Sequence, residues 1–133
     1  MASRISWVGL SVGAALGGIT RVGAMALHSP GIFADRYRVG LYVALVGAVI
    51  GGLAGLTGRA LRGAVAGAGL SVLFYLVVLP IVGAFSLLGV ATLPAWWEVL
   101  AVGAIPGAIG GWAGQIATKQ RARADTVGAA GPA

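Results

Sequence analysis

Residues able to do chemistry are scarce in this chain, and their placement limits what they can do. The carboxylates are Asp35, Glu98 and Asp125, the imidazole is His28, and cysteine is absent. Without cysteine there is no disulfide, no thiolate metal site and no thiol nucleophile. A lone histidine cannot supply the three or four ligands a structural or catalytic zinc needs. His28 also precedes Ser29-Pro30-Gly31, a turn-rich stretch that reads as a helix exit at the surface. No nucleophile–base–orienter set can be drawn from these groups. The glycine runs lack the lysine and hydroxyl residue of a phosphate loop. The sequence therefore predicts no enzymatic activity, no cofactor and no metal.

The one charged residue that the pattern singles out is Arg21, at the end of "VGAALGGITR" (Val12–Arg21). It falls inside an apolar stretch, where a charge is costly and is expected either to snorkel to the interface or to face a cavity or a carboxylate. Asp35 and Glu98 are the acids available on its side, and Glu98, just after "AWW", is the better placed. An Arg21–Glu98 pair is the expected contact. Pro80 and Pro106 interrupt two other apolar stretches. Each lies about 10 residues, or about 15 Å, from a helix end. Proline frees a helical carbonyl, and broken helices at the bilayer midplane often mark transport sites. Arg21, Glu98, Pro80 and Pro106 are thus the candidate pathway and ion-pair residues. Hydroxyls such as Ser11, Thr20, Ser71 and Ser86 are expected to bond back onto their own helices.

The elements that must position these residues follow from composition. The chain of 133 residues is 59% hydrophobic and only 9% charged, with mean hydropathy +0.97. A soluble domain carries about 25% charged residues, so this surface is not built for water. Four apolar stretches of spanning length, about 20 residues each, succeed one another at 5–27, 40–58, 64–90 and 96–118. The prediction is an all-α, four-span membrane domain over 1–118, followed by a short, basic, flexible tail over 119–133. Trp7, Tyr42, Trp96 and Trp97 fall at span ends, where amphipathic rings settle at headgroup level.

Charge sets the expected orientation. Arg21 aside, six basic residues flank the side that holds both termini and two flank the other. The positive-inside rule then puts both termini in the cytoplasm, in a multi-pass protein of a bacterial inner or plasma membrane. The net charge of +6 sits at helix ends and in short loops, which suits lipid headgroups rather than nucleic acid. One competing reading uses the same residues. Arg4, the apolar run to Ile19 and the Ala24-Met25-Ala26 triplet imitate a signal peptide, whose cleavage would leave three spans. Arg21 is out of place in such a leader, and the first span shares its glycine pattern with later ones.

That pattern is an internal repeat. Glycines recur at every fourth position as Gly9, Gly13, Gly17, as Gly47, Gly51, Gly55, and as Gly103, Gly107, Gly111. The next step reaches Arg21, Arg59 and Gln115 in turn. Residues four apart share a helix face, and bare faces let helices in lipid approach closely. The prediction is glycine-zipper packing through these nine positions. The third span has only Gly63 and Gly67 near its start, and its bulky remainder is expected to fill grooves or face lipid.

"VGAALGGITRVGAMAL" (Val12–Leu27) resembles the first span of the small four-helix fluoride channels, which carry a glycine-rich run ending in arginine. The likeness covers 16 residues. It does not extend to "YVALVGAVIGG" (Tyr42–Gly52), where that family has an asparagine, or to "GAFSLL" (Gly83–Leu88), near its Thr-Phe-Ser-Thr motif. No site residue therefore carries over. Two functions are open on the sequence. One is a homo-oligomeric channel or transporter subunit for a small ion or solute, with a fluoride-channel-like protein as a special case. The other is a structural or assembly subunit that docks on a larger membrane complex.

Overall fold

Helices whose glycines repeat at every fourth residue have little side chain to keep them apart, so their backbones set the spacing. The computed structural model describes residues 6–28, 37–89 and 92–131, and every regular element among them is a helix. These are α1 (Trp7–His28), α2 (Tyr37–Gly55), α3 (Ala60–Leu87) and α4 (Trp96–Ala129). Each is long and apolar enough to cross a membrane. Arg4, Asp35 and Arg36 lie outside the described residues.

The helices run alternately up and down. Ser6 lies against Gly114 at one end, and the His28 carbonyl accepts the Thr92 N–H at 3.1 Å at the other. We call these the terminal end and the loop end. Two hairpins result, because α1 packs most extensively on α2 and α3 on α4. α2 and α4 also touch, and α1 packs on α4, whereas α1 and α3 share no backbone contact.

Glycine meets glycine along both hairpin seams. A methyl placed on Gly13 would stand 2.8 Å from the Gly51 carbonyl carbon, and one on Gly17 would stand 2.9 Å from that of Gly47. Gly9 faces Gly55 in the same antiparallel register. Across the second seam Gly63 meets Gly107 and Gly67 meets Gly103, with equivalent methyls 2.8 and 2.9 Å from the carbonyl carbons. Gly110 joins the hairpins, since a methyl there would lie 2.9 Å from the Gly13 Cα. Ala54, wholly buried, sends its own methyl towards Gly67 and Gly107, while its carbonyl oxygen faces Gly63.

Large side chains point the other way. Leu45, Val49 and Leu53 of α2 and Leu73, Val77 and Ile81 of α3 are all exposed. In lipid this inversion costs nothing, because hydrocarbon outside is as apolar as a core would be.

Among the boundaries that differ from the expected ones, two have a local cause. α2 stops at Gly55 rather than at 58, since Gly58 takes a left-handed turn at φ +62° and the Thr57 hydroxyl donates to the Ala54 carbonyl at 2.9 Å. Arg59 consequently leaves the glycine face of α2 and becomes the exposed, extended residue that precedes α3. At the other boundary α4 runs on to Ala129, where the sequence suggests a flexible tail. Lys119–Ala124 is rich in good helix formers and holds neither glycine nor proline, so the helix propagates. Its 34 residues span about 51 Å at 1.5 Å per residue.

Candidate functional site

Arg21 stands in the outermost of the α1 glycine steps, two turns from the loop end. Its Cβ is the neighbour that a methyl on Gly47 would meet at 3.0 Å. From there the side chain crosses between the hairpins to α3, the helix that α1 does not otherwise reach. Nη2 of Arg21 donates to Ser71 Oγ at 2.7 Å, and the guanidinium carbon sits 4.6 Å from the centre of the Phe74 ring. Ser71 is fully buried, with Oγ packed on Gly103. A cation over an aromatic face and a charge-assisted hydrogen bond together fix the plane of the guanidinium.

The expected Arg21–Glu98 pair is not formed. Glu98 Oε2 lies 3.0 Å from His28 Nε2 and accepts the N–H of Ala95 at 2.9 Å, which caps the first turn of α4. His28 Nδ1 is 3.0 Å from the Ala24 carbonyl, so the ring is held on both sides. Seven residues along α1 separate His28 from Arg21, about 10 Å of helix. The histidine at the helix end therefore reaches the carboxylate first. His28 is only 24% exposed and Glu98 27%, so the pair is tucked into the loop end rather than lying loose on the surface.

The two prolines occupy different environments. Pro106 is fully buried within α4, where its missing N–H leaves the Val102 carbonyl without a helical donor. Pro80 is exposed on the outward face of α3. They do not line one interior.

Sequence reasoning missed Ser71 and Phe74. Ser11 and Thr20 do bond back to their own helices, onto Trp7 O at 3.0 Å and Leu16 O at 2.8 Å. Ser71 instead takes a partner 50 residues away. A signal for it existed: Gly63, Gly67 and Ser71 follow the same four-residue step that leads from Gly17 to Arg21.

An apolar groove of about 410 Å³ runs along α1 and α2 between Gly18, Val22, Ala44 and Ala48. Its lining is almost wholly apolar. No cluster of three potential metal ligands occurs among the described residues. No known protein family, curated protein or solved structure matches the chain.

Proposed function

We propose that this is a small integral membrane protein acting as a homo-oligomeric channel or transporter subunit for a small ion or solute, with the pathway passing Arg21. The observation that carries the reading is the Arg21 guanidinium, held inward between α1 and α3 by Ser71 and Phe74. An ionised group at membrane depth is expensive and marks an ion or substrate route by default. The Val102 carbonyl, which Pro106 deprives of its usual helical donor, lies one residue from Gly103, on which Ser71 packs. The His28–Glu98 link lies at the loop end, where such a route would open. Glycine-zipper packing through the nine repeated glycines leaves each chain too little interior for a pathway of its own, which favours a route shared between copies. Both termini are proposed to be cytoplasmic from the six-to-two bias of basic residues. The bilayer is the immediate partner.

The second reading, an assembly subunit, is favoured by the outer part of α3. There Leu76, Val77, Ile81 and Leu87 are exposed along a helix of 28 residues. Detergent-purified protein separates the two. A defined oligomer that passes fluoride, chloride, potassium or protons into liposomes, with flux cut at least tenfold by Arg21→Ala, supports transport. A monomer that is silent in liposomes and co-purifies with other subunits supports assembly.

A further inference from the structure

Beyond Gly114, which meets Ser6 and Gly58, α4 leaves the other helices behind. Residues 118–129 continue it as a helix exposed on every side, about 18 Å long at 1.5 Å per residue. The outward face of α4 changes character along its length. Ile105, Ile109 and Trp112 are exposed beside the bundle, and the same stripe then reaches Lys119 and Arg123, both exposed. Steps of three and four residues keep these side chains on one face. The order is apolar, amphipathic, cationic, which is the order of acyl chain, interface and headgroup. Height agrees with it. A hydrocarbon layer of about 30 Å counted from Trp97 ends about 20 residues on, just before Thr118. Lys119 then stands about 3 Å and Arg123 about 9 Å beyond that boundary, in the headgroup layer and at its outer edge. The two cations are one turn apart, so their like charges repel along the helix. Asp125 is the one carboxylate of this segment, and it lies on the other side of the helix, four residues from Arg121. Among the described residues no ion pair engages Lys119 or Arg123. Arg121 follows the buried stripe of Gly107, Gly110 and Gly114, and so stands over the bundle end rather than over lipid.

We propose that Lys119 and Arg123 form a docking surface for anionic lipid headgroups of the leaflet at the terminal end. Two cations a turn apart, uncompensated and held at headgroup height by a continuous helix, suit a headgroup with net negative charge, and the anion relieves their repulsion. Their aliphatic stems are long enough to lower the charged ends towards the lipid phosphates. The surface rests on the reading of the chain as an integral membrane protein and not on transport, since it holds lipid and passes nothing.

The test uses the full chain in neutral-detergent micelles mixed with dioleoyl phosphatidylglycerol and dioleoyl phosphatidylcholine. Exchange of the two lipids onto the protein gives their relative affinity. At about 0.1 M salt the wild type should prefer phosphatidylglycerol about 25-fold, or about fivefold per cation, and the preference should collapse at about 1 M salt. Lys119→Gln and Arg123→Gln should each cost about fivefold, and the double variant should fall to near parity. Arg121→Gln, on the opposite face, should change the preference less than about twofold. Glutamine enters a helix as readily as lysine or arginine, so these exposed substitutions keep the fold. The proposal is overturned if the wild type shows no preference, if the double variant keeps it, or if Arg121→Gln costs as much as Arg123→Gln. Displacement of the lipid by an equal charge of polyglutamate or duplex DNA overturns it too, because the stripe would then serve a soluble polyanion. Alkaline carbonate extraction of membranes that carry the chain keeps the two readings apart. A chain that is released sinks the membrane reading itself, and one that stays embedded without lipid preference sinks this proposal alone.

Discussion

Glu98 serves two neighbours at once, the Ala95 N–H that opens α4 and the His28 ring that closes α1. This ties two helix ends that are 70 residues apart in the chain, and the Thr92 hydroxyl adds a bond to the His28 carbonyl at 3.3 Å. Both side chains are partly exposed, so the coupling of this contact is modest. A double-mutant cycle with His28→Ala and Glu98→Ala, read by thermal unfolding in micelles, should give about 0.5–1 kcal/mol. A coupling indistinguishable from zero would mean that the two side chains act separately. At this scale the sequence was only partly legible. Arg21 announces itself as a charge in an apolar run, but its partner is not visible there. A carboxylate is the obvious mate for an arginine, and choosing Ser71 over Glu98 depends on the hairpin register that brings α3 opposite. His28 reads as a surface residue because its value as a partner comes from Glu98, a contact across the fold.

Register is also where the helices differ from one another. Gly13 and Gly51 lie backbone to backbone, while Gly69 and Gly83 have open space where a side chain would go. Glycine content alone does not separate these classes, since all four sit within apolar helices. Gly13→Leu should destabilise the protein by about 3 kcal/mol or more, because a branched side chain would have to enter the Gly51 carbonyl. Gly69→Ala should be neutral or stabilising by about 0.5–1 kcal/mol, since alanine costs a helix less than glycine. Equal effects in a micelle unfolding assay would remove the distinction. The helices themselves were easy to read from apolar length. Their ends were less so: the α2 boundary depends on the left-handed Gly58, and the α4 extension depends on propensity in a stretch where polar composition suggests a loose tail.

The whole molecule is two hairpins, each with its own glycine seam, joined through Ala54 and through the contact of Gly110 of α4 with Gly13 of α1. The short link with Thr57 and Gly58 carries the chain from one hairpin to the other. In lipid, helices insert first and associate afterwards, so the link should be dispensable for assembly. Residues 1–57 and 58–133 produced as separate chains in one membrane should co-purify through a tag on either half. Recovery of the tagged half alone would show that connectivity, rather than surface fit, holds the hairpins together. Four spans could be counted in the sequence. Their pairing could not, because three similar glycine faces permit several neighbours and only the assembled backbone selects among them.

Ala54 gives this arrangement an unusual vulnerability. A single methyl group is the wedge between α2 and the opposite hairpin, resting on two glycines, Gly67 of α3 and Gly107 of α4. Lengthening it, as in Ala54→Leu, would leave both seams intact while prising the halves apart, so the variant should still insert and still pair within each half. The damage would be confined to the junction that Arg21 spans nearer the loop end, and the arginine would lose its reach before either hairpin lost its shape.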